Sequence, residues 1–139
     1  MDPSKIINGT FGSLWVDNEL WAEVDKFDAN VAVAYEDVNI AGSLATYRKQ
    51  VGHSGTGSIT IKKASSRVGK KIAAAIKAGR TPRMKLVGKL ADPDVVGVER
   101  VALYDVTFDG FNLMKFEQKT LGSEDIAFAF SDFEYIDTI

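Results

Sequence analysis

Phe27-Asp-Ala-Asn-Val-Ala-Val-Ala-Tyr-Glu36 decides the fold class of this 139-residue chain. Ala29, Val31, Val33 and Tyr35 alternate with Asp28, Asn30, Ala32, Ala34 and Glu36, the period-two pattern of a strand with one buried face. Just upstream, Gly12-Ser-Leu-Trp-Val16 and Glu19-Leu-Trp-Ala-Glu-Val24 flank Asp17-Asn18. Turn-forming residues between two runs of β-favouring side chains predict a hairpin. Between Val24 and Phe27 the apolar phase slips by one residue, which a β-bulge would absorb if both ends face one core.

Downstream of Ile40, residues 41–54 carry glycine, polar and basic side chains with no clean period and are expected to form a long loop. Connections this long inside a compact domain usually have a task. Gly55-Thr-Gly-Ser-Ile-Thr-Ile-Lys62 then reads as a strand with Ile59 and Ile61 inward and Ser58, Thr60 and Lys62 outward. A helix is predicted over 65–79. Ser65 or Ser66 caps it, Val68, Ile72, Ala75 and Ile76 form its apolar stripe, and Gly79 ends it. Arg67, Lys70, Lys71 and Lys77 give it a basic outer surface.

Strands are further expected over 84–90, 98–108, 111–117 and 126–130. About seven strands with one inserted helix predict a single domain, a β-sandwich or barrel with the helix over an opening or a face. Ile126, Phe128 and Phe130 share one face of the last strand, and Ala127 and Ala129 suggest that its other face is close-packed as well.

Composition narrows the function classes. With no cysteine, disulfides and thiolate metal sites are excluded. The first residues lack a basic start followed by an apolar run, and no stretch approaches the ~20 apolar residues of a membrane helix, so a soluble, uncleaved chain is expected. Net charge is only −2, yet Lys62 to Lys89 holds ten of the 17 basic residues and none of the nineteen acids. A solvated face, a nucleic-acid patch and a surface complementary to another subunit's acidic face all fit such segregation. No aromatic interleaves this stretch, so the stacking platform of a single-strand binder is missing.

Motifs for catalysis are thin. His53 is the only histidine, with no second histidine or cysteine to complete a metal site, and Ser54 and Ser58 are merely near it in sequence. Gly55-Thr-Gly57 lacks the third glycine of a dinucleotide loop, and Val68-Gly-Lys-Lys71 lacks the spaced glycine and hydroxyl of a P-loop. Asp92/Asp94 and Glu124/Asp125 are paired carboxylates outside any coordination loop. Trp15 and Trp21 flank the hairpin tip, fitting either cross-strand packing or an exposed interface.

The order of features is more specific than any one of them: Asp28-Ala-Asn-Val31, Val38-Asn-Ile-Ala-Gly42, a basic loop, Gly55-Thr-Gly57, the helix, Glu99-Arg-Val-Ala-Leu-Tyr-Asp-Val-Thr-Phe-Asp109, and Ser123-Glu-Asp-Ile-Ala-Phe-Ala-Phe-Ser-Asp-Phe-Glu134. From about Gly9 to Glu134 the chain resembles the tail tube proteins of contractile-tailed phages, in particular those of PBSX-type defective prophages.

That resemblance implies a structural, non-enzymatic subunit with no cofactor, whose hexameric rings stack into a hollow conduit inside a sheath. Implied partners are further copies of itself, the sheath, tape measure and baseplate proteins, and DNA only as passing cargo; no membrane is involved. The implied place is the virion tail, assembled in the bacterial cytoplasm. Loop 41–54, with Leu44, Tyr47, Arg48, Lys49 and His53, becomes the candidate contact to the next ring. Asp28, Asn30, Glu36, Ser58 and Thr60 become the lumen candidates, and Arg67, Lys70, Lys71 and Lys77 an outer or interface surface. A monomeric barrel enclosing a small ligand is the main alternative, and a small hydrolase using His53 a third.

Overall fold

A computed structural model describes residues 3–6, 8–62 and 67–138, apart from the side chains of Phe11, Arg67, Val68 and Lys71. The helix-capping Ser65 and Ser66 lie outside the described residues. Eight antiparallel strands and one helix appear: β1 (Gly12–Val16), β2 (Glu19–Leu20), β3 (Val24–Asn39), β4 (Thr46–Lys62), α1 (Arg67–Lys77), β5 (Met84–Leu90), β6 (Glu99–Phe108), β7 (Ser123–Phe130) and β8 (Asp132–Asp137). The strand order is β2-β1-β5-β6-β7-β4-β3, with β8 also on β6.

The first hairpin forms as its turn residues dictate. Asp17 and Asn18 both adopt left-handed backbone (φ 48 and 68), the type I′ geometry that matches strand twist. Beyond Leu20 the structure departs from expectation, because Trp21 leaves the strand and buries in the core, 6.2 Å from the Phe108 ring. Trp15 stays half-buried opposite Leu20 and Val87. The expected bulge is present: pairing with β4 shifts between Val24 and Lys26.

One strand makes the corner that turns a flat sheet into a roll. β7 and β8 follow each other along β6, β7 against its end and β8 against its start, separated only by Ser131. Opposite this break Asp105 takes φ 54, and the Ser131 hydroxyl donates to its carboxylate at 2.9 Å. Strands that switch sheets commonly bend at such irregularities. The roll encloses Leu14, Val16, Trp21, Ile59, Ile61, Ile72, Leu86, Val106, Ile126 and Phe128.

α1 adds Ile72 to this core, and Gly69 lets the Phe111 ring approach. Its end is a Schellman motif: Gly79 has φ 75, Arg80 N donates to Ala75 O and Gly79 N to Ile76 O. Ile76, placed on the apolar stripe by spacing, is 47% exposed.

Three sequence expectations are corrected. Residues 46–54 are not loop but the first half of β4, paired with β3 from Asn39 to Ala32. A register shift at Val51 and the exposure of side chains on both faces erase the alternation that would have revealed a strand. Residues 111–117 are not a strand, since β7 and β8 occupy that side of β6. Finally, Ala29, Val31, Val33 and Tyr35 are exposed, Ala29 and Val31 bordering an open hollow toward Leu103, Phe130, Phe133 and Tyr135, and Ala127 is exposed on the opposite face of the sheet.

Candidate assembly surfaces

The most unusual element is the arm formed by β3 and β4. β7 pairs with β4 only as far as Gly55↔Phe130, whereas β3 and β4 continue together to Asn39↔Thr46. Beyond that last three-stranded point the arm is a two-stranded ribbon about 25–30 Å long at 3.2–3.4 Å per residue. Ile40, Val38, Tyr47 and Val51 are exposed along it, and Leu44 at its tip is fully exposed. A two-stranded ribbon is at best marginally stable alone in water.

Cross-strand partners share a face, which sorts the candidate residues. Asp28 faces Ser58 directly, and Asn30, Glu36 and Thr60 lie on the same side, so the five lumen candidates are brought together on one sheet face. Asn30 Nδ2 donates to Asp28 Oδ1 at 3.1 Å, and Thr60 Oγ1 to Asp125 Oδ1 at 2.7 Å. Ser54, Thr56 and Asp125 belong to this face too and were missed; the even-numbered hydroxyls from 54 to 60 were the available signal.

This face is not purely acidic. Lys26, Lys49 and Lys62 share it with Asp28, Glu36 and Asp125 by register, so it is close to neutral. Lys49 lies opposite Glu36, and Lys62 reaches Asp25 at 3.2 Å. Lys62, the first residue of the basic segment, thus lies on the same face as Ser58 and Thr60, as the strand alternation implied.

The inter-ring candidates split between the faces of the arm. Tyr47 and Lys49 share the polar face, whereas Arg48 and His53 lie on the opposite one. There the Arg48 guanidinium sits 3.8 Å from the Tyr35 ring centroid, a cation–π contact. His53 meets Phe133 edge to face at 6.4 Å. Strand alternation puts Ser54 and Ser58 across the sheet from His53, so no serine–histidine pair forms there. Lys70 and Lys77 are exposed on α1; the side chains of Arg67 and Lys71 lie outside the described part.

The remaining motifs have structural tasks. Asp92 accepts Asn8 N at 2.8 Å and Asp94 N at 2.9 Å, closing a turn and tying down the N-terminal segment. Glu124 is buried and accepts Asn112 N at 3.1 Å, while Asp125 points to the other face. Gly55 and Gly57 lie under the Phe130 and Phe128 rings. Among the described residues no group of three or more histidine or acidic side chains could hold a metal ion, and no helix is long and apolar enough to cross a membrane. The Tyr104 hydroxyl donates to Glu134 at 2.9 Å, and this bond, then burial, then the charges of Glu134 and Asp132 hold its pKa above the ordinary value.

The architecture is thus an eight-stranded roll with a protruding two-stranded arm. The sequence profile of the family described as "Phage tail tube protein" matches residues 1–137. The chain belongs to this tail tube family. Its relatives include the phage-like element PBSX protein XkdM of Bacillus subtilis (strain 168), 35% identical over 130 residues that cover 92% of this chain and 88% of XkdM. The fold of this tail tube protein is shared with the sheath–tube complex of an extracellular contractile injection system in its extended state (TM-score 0.76, 6% identity, 96% and 93% of the two chains covered). It is shared equally with the tube-terminating cap of the anti-feeding prophage (TM-score 0.78, 6% identity, 99% and 95% covered). Family and fold are thus those of structural tail tube proteins.

Proposed function

We propose that copies of this chain close into hexameric rings and that the rings stack into the hollow tube of a contractile phage-type tail. Family membership gives the tube; the observation that carries the stacking is the arm, a ribbon whose outer edge is unpaired among the described residues and whose side chains beyond the His53–Phe133 contact are exposed. In a ring, the uncovered edge of β3 can pair with a neighbour, which removes a sticky strand edge that a lone subunit would present. The tip around Leu44, with Tyr47, Arg48 and Lys49, then reaches the adjacent ring.

In this arrangement the polar face with Asp28, Asn30, Glu36, Ser58 and Thr60 lines the channel. Its near-neutral, hydroxyl-rich surface offers little to retain a phosphate backbone, as passing DNA would require. Arg67, Lys70, Lys71 and Lys77 face outward or a neighbouring subunit. The surrounding partners are a sheath, a tape measure protein and a baseplate, in a virion tail put together in the host cytoplasm; solved assemblies of the same fold are a sheath–tube complex and a tube cap.

Negative-stain electron microscopy of the concentrated protein tests the proposal. Six-fold rings or hollow tubes are expected. Purely monomeric protein at every concentration, with a small molecule held in its interior, would favour a ligand-binding barrel instead.

A further inference from the structure

The connection from β6 to β7, residues 109–122, is firmly rooted yet holds its largest side chains in water. Asp109 N donates to Ala127 O at 2.8 Å, Asn112 N to the buried Glu124, and Phe111 packs beside Gly69. Between these anchors and β7, Leu113, Met114, Phe116 and Leu121 are 87%, 80%, 79% and 92% exposed. Thr120 N closes a turn on Glu117 O, and Lys119 takes φ 61, so the segment is a shaped loop. Four such side chains within nine residues of one loop exceed the single, scattered exposure normal for a soluble surface.

The same chain also carries a hole. Between β3 and the β1–β5–β6 sheet a cleft of about 550 Å³ opens, lined by Leu14, Trp21, Val24, Phe27, Leu90 and Val101, with Leu20 48% exposed at its rim. Its wall on β6 is at Glu99 and Val101, whereas the loop leaves β6 after Phe108, about 25–30 Å away along the strand. None of the loop's residues lines the cleft.

We infer that loop 109–122 of one copy docks in the cleft of a second copy. This rests on the tube reading above and names one contact within it. Knob and hole are different patches of one chain, so the contact is heterologous and can repeat from subunit to subunit into rings or filaments. Charges permit it: the loop carries Lys115 and Lys119 with Asp109 and Glu117, and the cleft brings Asp25 and Glu99 alongside Lys26 and Lys89. Both surfaces are therefore balanced, and the loop lysines have carboxylates to meet. The area is small. Four side chains supply on the order of a few hundred Å², below the ~800 Å² per partner of a stable complex. Loop docking holds only in concert with the arm, and dilute subunits stay apart.

Cysteine trapping is clean here because the chain has no cysteine of its own. Leu20→Cys and Leu113→Cys are mixed at high concentration and oxidised, with Leu20→Cys plus Leu44→Cys run in parallel and unmodified protein imaged. Tubes together with a covalent Leu20→Cys/Leu113→Cys dimer are the expected result. Tubes without it, or with trapping to position 44 instead, overturn the loop contact and leave the tube reading intact. The dimer without tubes supports the contact and sinks the tube reading; neither product sinks both. Phe116→Asp should keep the far-ultraviolet circular dichroism spectrum and raise the concentration needed for assembly about tenfold or more.

Discussion

The ring of Phe128 lies across Gly57, its direct partner on the neighbouring strand, and occupies the space where a side chain at 57 would stand. Phe130 does the same over Gly55. Aromatic rings covering strand glycines restore the packing and water exclusion that a missing Cβ forfeits. The Phe27 ring then stacks on Phe128 at 5.9 Å, nearly parallel. This is where the arm joins the roll, so the two glycines set how the arm leaves the body.

Gly57→Ala should therefore destabilise the monomer. A methyl at 57 overlaps both the Phe128 ring and the backbone carbonyl of Asp28, and such overpacking costs about 1–3 kcal/mol. Urea unfolding followed by tryptophan fluorescence reads this directly. Gly52→Ala, where nothing lies within 4 Å, is the control and should change stability far less.

At the corner, Ser131→Ala removes the hydroxyl that holds Asp105 in its left-handed conformation. A loss of about 0.5–1.5 kcal/mol is expected, the net worth of one hydrogen bond, and more if Asp105 is left poorly solvated. Equal stability of Ser131→Ala and the parent would show that the bend is set by the strands alone.

Tyr104 supplies the pH dependence. Glu134 and burial raise its pKa in the folded state, so the contribution to stability is complete below the unfolded value near 10 and is lost as pH rises through the folded one. Ultraviolet titration of the phenol should show Glu134→Gln moving the Tyr104 transition downward. An unchanged transition would mean that the hydrogen bond does not persist in solution.

Much of the fold was legible. Strand periodicity announced β1, β3, β5, β6 and the Gly55–Lys62 half of β4, and the phase slip at Val24–Phe27 announced the bulge that pairing with β4 displays. The misses share a cause. Residues 46–54, 111–117 and 132–137 are exposed or poorly covered in one chain, so no buried face imposes a readable period on them. Leu113, Met114 and Phe116 imitated a buried strand although the fold leaves all three exposed. The polar face was found through Asp28, Asn30 and Ser58, and alternation already put Lys62 beside Ser58 and Thr60; Lys26 was missed because it joins the face only through the register beyond the bulge.

Arm substitutions separate folding from assembly. Val33→Asp or Leu44→Asp changes side chains 40% exposed and fully exposed respectively, so unfolding free energies should stay within about 0.5 kcal/mol of the parent. Sedimentation velocity at high concentration should nevertheless show the loss of large species.

Electron microscopy of the concentrated parent protein beside Leu44→Asp tests the central claim most directly. Hollow tubes of stacked six-fold rings from the parent, and isolated rings or monomers from the arm variant, are the predicted result. A parent that remains monomeric at every concentration, or an arm variant that builds the same tubes, would contradict assembly through the β3–β4 arm.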